Sequence, residues 1–140
     1  MKVIAGAFTL NSSTTYGPVN GSAAALSTDP VYWDVHLPAG AEFSAPTKAG
    51  HNAFLYAYEG SAKIGAASTA KVLPHRAAGV LSDGDSVRVE AGGDGVRFLL
   101  LAAKPLREPV VQYGPFVMNT RQEIEQAFAD YRDGRLGDAA

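Results

Sequence analysis

Hydrophobic and polar residues alternate from Val31 to Leu37, with Val31, Trp33, Val35 and Leu37 on one face and Tyr32, Asp34 and His36 on the other. A period of two is that of a strand buried on one side. Pro38-Ala39-Gly40 then turns the chain, and an aromatic-rich strand is expected from Asn52 to Tyr58, closed by Glu59-Gly60. Shorter strands are expected at Ser61–Ile64, Lys71–Leu73 and Gly79–Leu81. The Ser82-Asp83-Gly84-Asp85 turn leads into Ser86–Glu90, and Gly92-Gly93-Asp94-Gly95 reads as a second tight connection. Beyond it, the unbroken apolar run Phe98–Ala103 reads as a central strand. Near the end the period changes. Ile124, Ala127, Phe128 and Tyr131 are spaced as one helical stripe, Thr120 and Glu123 have capping-box spacing, and Gly134 is placed to stop the helix. Short strands punctuated by Gly and Pro, with one terminal helix, predict an all-β sandwich or barrel.

Composition narrows the picture. The chain has 140 residues, enough for a single core, and residues 1–140 are expected to form one domain, with a barrel over about 1–119 and a helix over about 120–134. Twelve Lys and Arg against fourteen Asp and Glu, with no basic block, argue against direct nucleic-acid binding. Cysteine is absent, which removes disulfides, thiolate metal sites and cysteine nucleophiles, and the expected location is cytoplasmic. Val3–Leu10 loosely imitates a secretory leader, but Gly6 and Thr9 interrupt it and polar Asn11–Thr15 follows, so none is expected. No apolar run reaches the ~20 residues that cross a bilayer, so no membrane association is expected.

The candidate chemistry is sparse. His36, His51 and His75 are far apart, without a second histidine at metal-ligand spacing. Asp83-Gly84-Asp85 lacks the remaining oxygen ligands of a calcium loop and reads as a turn. Gly92, Gly93 and Gly95 lack the following helix and lysine of a phosphate cradle. Glu123 and Glu125 fit a cap and a solvated helix face better than an acid–base pair. No catalytic residue is identified.

Three runs together carry a resemblance: Asp34-Val35-His36-Leu37-Pro38-Ala39-Gly40-Ala41, Gly50-His51-Asn52-Ala53-Phe54-Leu55-Tyr56, and Glu108-Pro109-Val110-Val111-Gln112-Tyr113-Gly114-Pro115-Phe116-Val117-Met118-Asn119-Thr120. They resemble the second, C-terminal cupin domain of pirin-like proteins. The likeness continues through Glu123, Ile124, Ala127 and Tyr131 and reaches back to Gly17-Pro18-Val19, with Asn20–Ser27 standing out as an insertion or divergence. The resemblance implies a cupin barrel of the jelly-roll type with a C-terminal helix.

Pirins consist of two consecutive cupin barrels, and their single iron lies in the first, held by three histidines and one glutamate. A metal-binding cupin supplies a His-x-His pair, a Glu five residues later and a further His. Anchored on the strand end Tyr56–Gly60, these positions fall on Pro46, Lys48, Ala53 and, near the last, Ser82. None offers an imidazole or carboxylate, so the resemblance implies a degenerate site without metal and no cofactor in this chain. Some pirins open the flavonol quercetin with dioxygen, and animal pirins are transcriptional cofactors. A non-catalytic structural or interaction module is therefore expected, with two alternatives: part of a quercetin 2,3-dioxygenase-like pirin whose iron lies in another domain, or a small-molecule-binding barrel.

One surface follows from alternation. If Ala53, Leu55 and Ala57 face the interior, then Phe54, Tyr56 and Tyr58 face outward. Such an aromatic face is expected to be an interface, in a homodimer or with a companion first-domain chain.

Overall fold

The computed structural model describes residues 1–19 and 27–137. Its chain forms two compact units, Met1–Pro105 and the segment from Leu106 onward.

The first unit is built on one antiparallel sheet of seven strands, in the order β1-β4-β9-β6-β7, with β5 added to β9 and β8 added to β6. Its strands are β1 (Lys2–Ala5), β4 (Val31–Leu37), β5 (Glu42–Pro46), β6 (Asn52–Ile64), β7 (Lys71–Leu73), β8 (Ala77–Val80) and β9 (Ser86–Ala103), while β2 (Ala7–Leu10) and β3 (Ser13–Tyr16) pair as a separate hairpin. The spine is β9. Its second half lies between β4 and β6, with Trp33 opposite Leu100 and Leu55 also opposite Leu100, and its first half pairs with β5 and the end of β6. Both halves bury side chains in the same core, where Leu55, Val89, Phe98 and Leu100 are fully enclosed. The sheet therefore folds over itself around one interior.

Three expectations are corrected. Gly92–Gly95 is not a connection between strands, because β9 runs through it for 18 residues. Glu59-Gly60 does not close its strand either: β6 continues for 13 residues, with irregularities between Ala57 and Glu59 and between Gly60 and Ala62. The physical reason lies in two glycines that bring backbones together. Gly60 and Gly95 both have positive φ, at 70° and 80°, and a Cβ on Gly60 would lie 2.1 Å from the Gly95 carbonyl oxygen. The glycines allow close approach and a bend, not chain reversal. The short strand expected at Gly79–Leu81 instead spans Ala77–Val80.

The expected face of β4 is correct, with Trp33 and Val35 buried in the core. Strands β1, β2, β3 and β5 carried no signal strong enough to predict them. The β2–β3 hairpin turns on Asn11 and Ser12, both at positive φ (47° and 66°), the conformation of a two-residue hairpin loop that usually takes Asn-Gly. The insertion or divergence expected at Asn20–Ser27 falls almost wholly outside the described residues.

The second unit holds the hairpin β10 (Val111–Tyr113) and β11 (Phe116–Met118), followed by helix α1 (Arg121–Arg132). The helix starts where its sequence signature predicts. Thr120 is the N-cap, accepting from the Glu123 N–H, while the Glu123 carboxylate accepts from the Thr120 N–H at 2.7 Å. At the other end Gly134, at φ 70°, donates to the Tyr131 carbonyl and Arg135 donates to that of Asp130, a Schellman closure. The apolar stripe is narrower than expected, because Ile124 and Ala127 are buried, Phe128 is half-buried and Tyr131 is 65% exposed. Phe128 packs edge-on against Phe116 at 4.9 Å and Tyr113 at 5.7 Å. Within the described residues no helix is long and apolar enough to cross a membrane.

Candidate functional site

Pro46 ends β5 and Lys48 lies in the turn Thr47–His51 between β5 and β6, the two positions that the resemblance assigns to the first ligands of a metal-binding cupin. That turn is tied to the loop before β9. The Asp83 carboxylate accepts from the backbone N–H of Gly50 at 2.7 Å and of Gly84 at 3.1 Å, and Thr47 N–H donates to the Asp85 carbonyl at 2.8 Å. Asp83 therefore serves to join two loops. A further bond from Leu81 N–H to the Ala53 carbonyl, 2.9 Å, sets Ser82 beside the start of β6.

This knot brings the candidate positions to one end of the first unit. Lys48, Ala53 and Ser82 line a cavity of about 650 Å³ whose floor includes Leu73, Leu81 and Val87. Pro46 and Lys48 line a smaller neighbour of about 220 Å³, and Thr47, Lys48 and His51 border both. The groups offered are a pyrrolidine ring, an ammonium, a methyl and a hydroxyl. The ammonium of Lys48 is bonded to the Asp29 carboxylate. Among the described residues no three His, Cys, Asp or Glu side chains gather at a spacing that could hold an ion. This donor set does not fit a cupin metal, for which imidazole and carboxylate ligands are required.

The three histidines are dispersed. His75 is exposed in the turn between β7 and β8, and His36 lies on the outer face of the sheet. His51 stands between the two cavities. Its side chain is 11% exposed, its Nε2 is 3.9 Å from Asp29 Oδ2, and its Nδ1 is buried without a hydrogen-bond partner. Trp33, which also borders the smaller cavity, has a buried Nε1 without a partner. Neither atom was identifiable as special from sequence, although His51 falls inside the degenerate ligand motif itself.

On the outer face, alternation along β6 is as expected: Leu55 and Ala57 are buried, Phe54 is 39% exposed, and Tyr56 and Tyr58 are half-buried. Phe54 lies opposite both Val80 of β8 and Leu101 of β9, and Leu101 lies opposite Tyr32 of β4, giving an apolar row across four strands. Val80 is 86% exposed. Two pairs further along β6 the face becomes polar. Tyr58 donates to Asp34 Oδ1 at 2.7 Å, and the phenolic oxygen lies 2.8 Å from His36 Nε2. Burial first, then the bond to Asp34 and the charge of its carboxylate, push the Tyr58 phenol up to about 12.

Comparison with known proteins gives a consistent result. The family model of the pirin C-terminal cupin domain matches residues 32–137. A pirin-like protein of Caulobacter vibrioides is 46% identical over 137 residues, covering 97% of this chain and 45% of that protein. Pirin of Homo sapiens is 46% identical over 113 residues, covering 79% of this chain and 38% of its own length. A crystal structure of quercetin 2,3-dioxygenase from Acinetobacter baumannii superposes with a TM-score of 0.76 at 29% identity, covering 96% of this chain and 43% of that one. The chain spans less than half the length of the curated relatives it matches.

Proposed function

The chain belongs to the pirin family, as a C-terminal cupin domain of that family, and from this premise we propose that it is a metal-free, non-catalytic module acting through contacts with another protein. Its fold is a cupin β-sandwich with a C-terminal helix. The observation that carries the reading is the chemistry of Pro46, Lys48, Ala53 and Ser82, which leaves the ligand positions of the barrel without an imidazole or carboxylate.

The interaction half of the reading rests on the outer face of the sheet. Phe54 and Val80 present apolar surface next to Leu101 and Tyr32, and the Asp34, His36 and Tyr58 cluster borders it with polar groups. An apolar centre with a polar rim is the usual make-up of a protein interface. The partner is a first cupin domain, which would carry the family's iron, or a second copy of this chain.

Likeness to a quercetin 2,3-dioxygenase favours one further reading, in which this domain is the accessory half of such an enzyme. Ring opening with dioxygen would then belong to the longer assembly. The chain is tested alone: after incubation with ferrous iron, quercetin absorbance in air is expected to decay no faster than without protein. Multiple turnovers per chain would overturn the non-catalytic reading.

A further inference from the structure

Sheets protect their free edges with charges, proline, irregular register or a covering segment, because unpaired N–H and C=O groups invite another strand. Most edges of the first unit follow that rule. Strand β1 carries Lys2 and a register shift, and Val19 N–H donates to its Ile4 carbonyl at 3.2 Å. Strand β5 carries Glu42 and ends on Pro46, and β7 opens with Lys71. Strand β8 differs. Ala77-Ala78-Gly79-Val80 has no charge, no proline and no register shift, and among the described residues it pairs with β6 alone.

The register identifies the free groups. Leu81 N–H donates to the Ala53 carbonyl at 2.9 Å, in step with Gly79 opposite Leu55. Hydrogen-bonded pairs alternate along an antiparallel ladder, so the N–H and C=O groups of Ala78 and Val80 point away from β6. Both residues are exposed, Val80 to 86%, and they lie opposite Tyr56 and Phe54. Unpaired backbone donors and acceptors thus border the apolar row of the outer face.

A second copy of the same strand satisfies both features. With a two-fold axis at Gly79, Ala78 of one chain lies opposite Val80 of the other, and each such pair exchanges N–H···O bonds. The outer-face row then continues across the seam, from Phe54 and Val80 to Ala78 and Tyr56 of the second copy. Just beyond the strand, the same register brings the cation Arg76 of each chain to Ser82 and Asp83 of the other. Arg76 and Asp83 are exposed, and Asp83 engages only Oδ1 in joining its two loops, which leaves Oδ2 for a partner. The charges match at both ends, as an interface made of the same patch on each copy requires.

We propose that β8 is the seam of a homodimer, pairing antiparallel with β8 of a second copy so that the two sheets become one. The proposal rests on the reading that this domain acts through protein contacts, and it names the partner and the edge that binds it.

Sedimentation of the unaltered chain at micromolar concentration is expected to give a dimer, and Val80→Lys should raise its dissociation constant about tenfold or more with the circular dichroism unchanged. The chain has no cysteine, so single cysteines test the register. Ala78→Cys and Val80→Cys chains, mixed and oxidised, should form a mixed disulfide faster than either chain alone, because that pair falls within the ~4.4–6.8 Å between Cα atoms that a disulfide spans. Val72→Cys, exposed on β7, is the control and should not cross-link to either. The disulfide pattern separates edge pairing from contact through the face, and it decides alone should Val80→Lys fail to fold. A dimer that Val80→Lys leaves intact, or one that cross-links without this preference, would place the seam elsewhere and overturn the proposal. A monomer that still binds a first cupin domain of a pirin would overturn it while upholding the interaction reading, and a monomer that binds neither would end both.

Discussion

The Tyr58 hydroxyl reaches over β9 to donate to Asp34 Oδ1 at 2.7 Å, joining two strands that do not pair with each other. The bond stabilises the protonated phenol, whose value is raised from 10.0 to about 12 by burial, by this bond and by the Asp34 charge. A group raised in the folded state contributes stability that is complete below its unfolded value and is lost as pH rises through the folded one. Stability should therefore fall between pH 10 and about 12 more steeply than in Tyr58→Phe. Denaturant midpoints across that range make the check, and identical slopes would deny the linkage.

If the apolar row on the outer face is an interface, Phe54→Lys should weaken assembly without unfolding the chain, because Phe54 is 39% exposed. Sedimentation at micromolar concentration, with the chain alone and mixed with a first cupin domain of a pirin, is expected to give a dimer or a heterocomplex that the substitution dissociates. An interface of roughly 1,000 Å² or more is needed for such a complex to be stable. A monomer under both conditions would remove the interaction role.

Close approach at the two glycines makes a sharp stability prediction. Gly60→Ala would meet the Gly95 carbonyl oxygen at 2.1 Å from a backbone at φ 70°, and backbone cannot step aside as a flexible side chain can. A loss of about 3 kcal/mol or more is expected from the strain and overlap together. Gly84→Ala, whose added methyl meets nothing within 4 Å, is the control and should stay within about 0.5 kcal/mol. Equal thermal midpoints for the two variants would refute the role assigned to Gly60.

The same glycines mark the limit of what the chain discloses before it folds. Alternation identifies β4 and the start of β6 because each has one buried face, and the Thr120–Glu123 signature fixes the start of α1 to the residue. Gly92–Gly95 looks like a turn because a bend in a long strand and a chain reversal call for the same residue. Strand β5 was hidden by its length of five residues and its terminal Pro46. Pro46, Lys48, Ala53 and Ser82, the positions that the resemblance implies, line two adjoining cavities. That Trp33 and His51 both border the smaller cavity had no local signal, because it depends on how β4 and the turn before β6 are brought together.

The terminal helix depends on its cap. Thr120→Ala should destabilise it by about 1 kcal/mol, since one side-chain acceptor for an orphan N–H is lost. The Thr120 hydroxyl first, then the backbone N–H groups of Thr120 and Asn119, hold the Glu123 carboxyl below its ordinary value. Its contribution is present above the unfolded value and disappears as pH falls through the depressed one. Carbon-13 titration of Glu123 should move upward in Thr120→Ala, and an unchanged midpoint would mean the box does not form.

Phe128→Ala should be the most damaging single truncation on the helix's aromatic side, at about 2–3 kcal/mol, because its ring is half-buried against Phe116 and Tyr113. Tyr131→Ala should cost much less, since Tyr131 is 65% exposed. Chemical denaturation of both variants gives the ranking, and the reverse order would place the helix stripe on the wrong residues.

The most direct measurement is the metal content of the chain itself, determined by mass spectrometry of the elements after loading with ferrous iron and exhaustive dialysis. Pro46, Lys48, Ala53 and Ser82 offer no imidazole or carboxylate, and no three metal-ligating side chains gather among the described residues, so only a small fraction of one equivalent is predicted. Iron retained at close to one equivalent per chain would contradict the metal-free reading.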